Sequence, residues 1–206
     1  MAPEAGPRGA RGRARGYVIR VEPESRDAPL EGLELITLPP SAWRDLRALR
    51  LRALADDPAA FGASYADSLA LPDAHWQERL ALAALEERSW YRFARAGDRL
   101  VGMIGAFLAE DAAAGDVAAI VAVYVAPEVR GRGVGQRLLA HLLDTLRAGR
   151  RVRRVRLDVN AAQTAAKRLY HGAGFRETGR AVRILGDGRP HEIVLMELLL
   201  TERDRR

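Results

Sequence analysis

The stretch Val123-Tyr124-Val125-Ala126-Pro127-Glu128-Val129-Arg130-Gly131-Arg132-Gly133-Val134-Gly135 decides the fold. An apolar strand runs into a proline, then into a basic glycine loop, then into an amphipathic helix. Glycines at 131, 133 and 135 let backbone approach an anion with no Cβ in the way, and the following helix turns unpaired N–H groups and the positive end of its dipole to the same place. A diphosphate fits such a cradle. A glycine loop alone is a weak signal that more often marks a plain strand-to-helix turn, so the weight falls on what lies further along the chain.

That second element is Gln163-Thr164-Ala165-Ala166-Lys167-Arg168-Leu169-Tyr170-His171-Gly172-Ala173-Gly174-Phe175, a short helix ending in Leu-Tyr and stopped by glycines ahead of Phe. Together the two segments resemble the GNAT superfamily of acetyl-CoA-dependent N-acetyltransferases. The first follows that family's V-x-P-x-x-R-G-x-G-x-G loop at every fixed position. The second follows its N-x-x-A-x-x-L-Y-x-x-x-G-F helix, except that Gln163 stands where Asn is usual. The resemblance covers roughly residues 33 to 200.

The resemblance implies a GNAT-like α/β fold, a mixed and mostly antiparallel sheet flanked by helices in a single domain. It implies acetyl-CoA as cosubstrate and an amine on a small molecule or protein as acceptor. Arg130, Gly131, Arg132, Gly133, Val134, Gly135 and Gln136 would then hold the pyrophosphate end, chiefly through backbone N–H groups. The backbone of Val123 and Val125 would run beside the pantetheine arm, with Gln163 a further contact whose longer arm caps less well than Asn. Tyr170 would be the general acid that protonates the departing thiolate; a phenol near pKa 10 stays protonated at neutral pH. The alternative for Tyr170 is an aromatic closing its helix against the sheet. A strand N–H would serve the oxyanion, and Asn160 and Thr164 are available to share the capping beside Gln163.

No base stands out. An ammonium acceptor must lose a proton, yet the strand before the loop has no carboxylate, and Glu110, Asp116, Asp158, His75 and His191 are candidates without distinguishing spacing. The acidic residues Glu110, Asp111 and Asp116 suggest a cationic acceptor, or simply solvate a loop. An alternative function for the same fold is a non-catalytic acyl-CoA sensor or interaction module.

Composition bounds the rest. A chain of 206 residues, 48% hydrophobic, can bury one substantial core. With no cysteine there are no disulfides, thiolate metal sites or cysteine nucleophile, and no metal is expected. No apolar run approaches the ~20 residues of a membrane span and no secretory signal is visible, which predicts a cytoplasmic protein without a membrane partner. The net charge of +6 is uneven, with Arg8, Arg11, Arg13 and Arg15 in the leader and a run of arginines from Arg147 to Arg156. Since Lys167 is the only lysine, this looks like coding bias as much as a binding face, and no specific nucleic acid is expected. A homodimer is compatible with the sequence.

Residues 1–30 are rich in Ala, Gly, Pro and Arg and predict a disordered leader ahead of an acetyltransferase domain over 31–203. Leu33–Leu38 reads as a strand ended by Pro39-Pro40, and Ser41 as the N-cap of a helix carrying Trp43, Leu46, Leu49, Ala53 and Leu54. Residues 59–65 read as a loop. A second helix follows Pro72-Asp73 with Trp76, Leu80 and Ala84. Phe61, Tyr65 and Trp76 either wall the acceptor site, as this region does in the family, or belong to the core. Trp90–Ala94 and Leu100–Leu108 form a hairpin about Gly97-Asp98. Val117–Ala126 is a buried central strand, and the helix after the glycine loop presents Val134, Leu138, Leu139, Leu142, Leu143 and Leu146 on one side. Arg151–Val159 alternates as a strand whose arginine face is open to solvent, a phosphate contact or a dimer edge, with solvent the default. Residues 175–185 and 191–200 close the chain as a hairpin about Gly186-Asp187-Gly188.

Overall fold

The computed structural model describes residues 32–109, 116–149 and 151–200; the leader, Glu110 and Asp111 lie outside the described residues. Among the described residues seven strands form one sheet: β1 (Leu33–Ile36), β2 (Ser89–Ala96), β3 (Arg99–Leu108), β4 (Val117–Val125), β5 (Arg154–Asn160), β6 (Arg176–Ile184) and β7 (Pro190–Leu199). Their spatial order is β1-β2-β3-β4-β5-β7-β6. Every neighbouring pair is antiparallel except β4 with β5. The α/β class and the mostly antiparallel sheet are therefore as expected.

The described residues form five α-helices: α1 (Trp43–Asp56), α2 (Tyr65–Ala70), α3 (Asp73–Leu85), α4 (Val134–Ala148) and α5 (Thr164–Gly172). Successive residues of a strand face opposite ways, and β2 shows which helix lies where. Tyr91 receives a hydrogen bond from Arg79 of α3, whereas Arg92 donates to Thr145 of α4 at 2.8 Å. Helices α3 and α4 thus cover opposite faces, with α1 packed beside α3. The expected stripe of α4 is buried from Val134 to Leu146, and Val155, Leu157 and Val159 of β5 turn into the core.

Several local expectations are corrected. Ser41 caps nothing. Pro40 starts a 3₁₀ turn over Pro40–Ala42, closed by the Ala42 N–H on the Pro39 carbonyl, and α1 begins after Ala42 with no side-chain cap. Residues 59–65 are not only loop: Ser64 accepts from the Asp67 N–H at 3.0 Å and caps the short helix α2. In α3 the buried face follows Trp76, Leu80 and Ala83, while Ala84 is exposed. Trp76 is core at 1% exposure, Tyr65 is exposed, and Phe61 is buried in the wall of a cleft.

The turn between β6 and β7 is fastened to the segment between α1 and α2. The Gly186 N–H donates to the Phe61 carbonyl at 2.7 Å, and a Cβ at Gly186 would run into the Ala63 carbonyl and stand 3.0 Å from that of Pro58. Those are backbone atoms and cannot swing aside. Gly186→Ala is accordingly expected to lower stability by about 1–3 kcal/mol, as overpacking does, measured as a shift in urea midpoint at unchanged m-value. An unshifted midpoint would mean that the turn floats free of the loop.

Candidate active site

Strand β4 contains one residue that sheet geometry alone would not select. Ala122 sits at φ 55, in the left-handed region. Opposite it, the register on β3 slips: Met103 pairs with Tyr124, but Gly105 pairs with Val121. This is a β-bulge with the extra residue on β4, and a bulge bends its strand. On its other edge β4 pairs with β5 at Val117, Ala118 and Ala119 only, against Arg154, Val155 and Arg156. Beyond Ala119 the two strands part, so the β5-facing edge of β4 through Val123 and Val125 is left without a strand partner. Strand β5 remains zipped to β7 along its whole length.

The opening is a cleft of about 690 Å³. Ala119 to Val123 line one wall and Arg156 to Asn160 the other, with Phe61, Gln163 and Tyr170 also in the lining. On the β5 face assigned by default to solvent, Arg154 and Asp158 are exposed, and Arg156 and Asp158 form part of this wall; Asp158 also pairs with Arg183 at 3.0 Å.

At the end of β4 the chain makes a 3₁₀ turn over Pro127–Val129 and enters α4. Gly131 and Gly133 both take positive φ, 79° and 75°. Gly133 is the N-cap of α4 and provides no side-chain acceptor, so the first-turn N–H groups of Val134, Gly135 and Gln136 remain available to an outside acceptor. Gly135 lies close to two neighbours: a Cβ there would stand 3.4 Å from Leu169 and 3.7 Å from Val125. The helix terminus, β4 and α5 therefore meet at one corner. Arg130 is already engaged, since its guanidinium pairs with Asp57 and its Nε donates to the Val125 carbonyl at 2.9 Å. Arg132 is half-buried and Gln136 exposed in the same turn.

Tyr170 is 5% exposed, packs edge-on against Phe175 at 5.9 Å and lines the cleft. Burial pushes its phenol well above the ordinary value of 10, so the hydroxyl is protonated at any working pH. Gln163 precedes α5 without capping it by its side chain. Asn160 instead shapes this corner: its Oδ1 accepts from the Ala162 N–H at 3.0 Å, which directs its Nδ2 to the Ala59 carbonyl at 2.9 Å and to His191 Nδ1 at 3.2 Å. The His191 Nε2–H then donates to Asp187 at 2.9 Å. With Nδ1 accepting and Nε2 donating, His191 has no lone pair left for a substrate, and it serves as a brace. His75 stands apart in the neighbouring cavity, its pKa lowered by burial and then by Arg79. The sequence had no means of showing that Arg130 is bound to Asp57 or that His191 is spoken for.

The Acetyltransferase (GNAT) family model matches residues 48–175. The chain belongs to the GNAT acetyltransferase family. Solved structures with the same fold include a GNAT family acetyltransferase of Streptococcus pneumoniae (TM-score 0.71, 18% identity, 82% of this chain and 99% of that one). A ribosomal-protein-alanine N-acetyltransferase of Brucella melitensis is similar (TM-score 0.69, 20% identity, 81% and 99%). So is the spermidine N-acetyltransferase of Vibrio cholerae in complex with CoA and spermine (TM-score 0.62, 18% identity, 82% and 95%). Among the described residues no cluster of metal-ligating side chains is present, and no helix is long and apolar enough to cross a membrane.

Proposed function

We propose that this protein transfers an acetyl group from acetyl-CoA to a primary amine by direct attack within a ternary complex. The observation that carries the proposal is the parting of β4 from β5 beyond Ala119, with an uncapped helix terminus at one end of the opening and Tyr170 in its wall. The residues present suit the cosubstrate. Left-handed Gly131 and Gly133 expose backbone N–H groups beside those of Val134, Gly135 and Gln136, and a Cβ at Gly133 would meet nothing nearer than Gln136 Oε1 at 3.8 Å. No neighbouring atom crowds the Cα of Gly133. Arg130 shapes the loop through Asp57, and the free edge at Val123 and Val125 offers backbone groups to an amide-bearing arm. Gln163 adds a side-chain amide at the cleft.

Bound acetyl-CoA supplies an activated acetyl thioester. The amine nitrogen forms a bond to the thioester carbonyl carbon, the carbon–sulfur bond breaks, and the leaving sulfur takes a proton. Tyr170 gives that proton, its hydroxyl kept protonated by burial, and takes one back from solvent as the products leave. The free edge of β4 at the bulge directs backbone N–H groups toward the developing oxyanion, where preorganised donors act most strongly. The amine's own proton goes to solvent, because His191 is occupied, β4 carries no carboxylate and Asp158 in the cleft wall is paired with Arg183.

The relatives named above serve a ribosomal protein and a polyamine, so the fold leaves the acceptor open. The test is an amine-library screen with acetyl-CoA, reading released coenzyme A together with the mass of the acetylated product. Release coupled to a product is expected. Thermal stabilisation by acetyl-CoA without release from any amine would instead assign a binding module.

A further inference from the structure

Beside the cleft lies a second cavity of about 720 Å³, framed by α3, β2, β3 and the bulge of β4. The two cavities share Arg50, Phe107, Val121 and Ala122, so they adjoin at the point where β4 kinks. Arg50 is unusual among the arginines here. Its Nη1 is buried with no hydrogen-bond partner. Arg47, Arg92 and Arg147 also leave a buried nitrogen unpaired, but each bonds through another part of the guanidinium. Arg50 has no hydrogen bond or ion pair among the described residues. Its guanidinium lies over the face of Phe61, 4.4 Å from the ring centre. Burial, opposed by the Tyr91 phenol and reinforced by Arg79, lowers its pKa to about 10.

Native structures rarely bury a charged donor without an acceptor, and an Arg fork matches a carboxylate with two parallel bonds. The surroundings favour an anion. Arg79 lies in the same wall and donates to the Tyr91 hydroxyl at 3.3 Å, with no carboxylate paired to it among the described residues. Glu78, Glu87 and Arg88 are exposed at the rim, and His75 has its pKa lowered toward the neutral form. The cavity also gathers three exposed apolar side chains, Leu82, Leu85 and Phe107.

We infer that this cavity receives an amino acid with an apolar side chain, its carboxylate on Arg50 and Arg79, its apolar body against Leu82, Leu85 and Phe107, and its α-amine toward the cleft. The inference deepens the acetyl-transfer proposal by naming the acceptor class. It opposes the suggestion of a cationic acceptor drawn from the acidic loop.

The full chain, saturated with coenzyme A, is titrated calorimetrically with L-leucine, leucinamide and isoamylamine, and the same three amines are assayed with acetyl-CoA. L-Leucine is expected to bind and to be acetylated with a kcat/KM about 10²-fold or more above the other two, since a site built for a polar group discriminates strongly against its absence. Arg50→Met should erase that preference with coenzyme A affinity unchanged, and Arg50→Lys should retain part of it by keeping the charge without the fork. Melting curves confirm that both variants fold. Equal binding of L-leucine and leucinamide, or an intact preference in folded Arg50→Met, would overturn the inference. Preferential binding of L-leucine without acetyl transfer would uphold the site while sinking the catalytic proposal.

Discussion

Tyr170→Phe is expected to lower the turnover number by roughly 10²-fold or more, with acetyl-CoA affinity within a few-fold of the parent. The substitution keeps the ring that packs on Phe175 and removes only the hydroxyl. The core should therefore be undisturbed, and a melting temperature near the parent's is part of the expected result. Because burial holds the phenol above its ordinary pKa, deprotonation of Tyr170 should not shape the turnover profile below pH 10; any limb there belongs to the amine or to another group. Single-turnover rates are the proper measurement, since slow product release would hide a lost proton donor. A chemical step within a few-fold of the parent's would transfer the proton to water and leave Tyr170 a packing residue.

The second large effect is expected at the glycine loop. Gly133 sits at φ 75 as the N-cap of α4, a conformation that a β-branched residue adopts only under strain. Gly133→Val should therefore turn the loop amides out of line and place a branched side chain in the cradle. The acetyl-CoA dissociation constant is expected to rise by about 10-fold to 100-fold, the loss of one or two good hydrogen bonds to a charged group. Gly133→Ala should fall between. Nothing in the protein stands in the way of the added Cβ, so a folded variant is expected and calorimetry can read the affinity directly. Unchanged binding would place the diphosphate elsewhere.

What the sequence disclosed was whatever local periodicity encodes. The stripe of α4, the alternation of β5 and the hairpin at Gly97-Asp98 each repeat over enough residues to be read without the fold. The bulge was hidden. Val117 to Val125 is an unbroken apolar run, and Ala122 carries none of the Gly or Asn character that normally marks a left-handed residue. Helix α2 had a signature in Ser64-x-x-Asp67 but is only six residues long, too short to show a period. The insertion of β7 between β5 and β6 is a long-range pairing that no local pattern records. Arg50 lies in α1 with nothing in its local sequence to mark it. Its missing partner is a property of the assembled cavity, and it became visible only when α1, α3 and β4 were in place.

The contact of Gly186 with the Pro58–Ala63 backbone bears on how this protein could be redesigned. The β6–β7 turn and the loop bearing Phe61 belong to distant parts of the chain, yet they meet backbone to backbone with no room for a methyl group. Lengthening that turn would detach the loop and, with it, the Phe61 face against which Arg50 rests. Variation on the α3 side carries no such linkage, because Leu82 and Leu85 are exposed and can be exchanged one at a time. On the acceptor proposal above, substitutions along α3 can therefore be made singly, while the turn and the loop would have to be changed together or not at all.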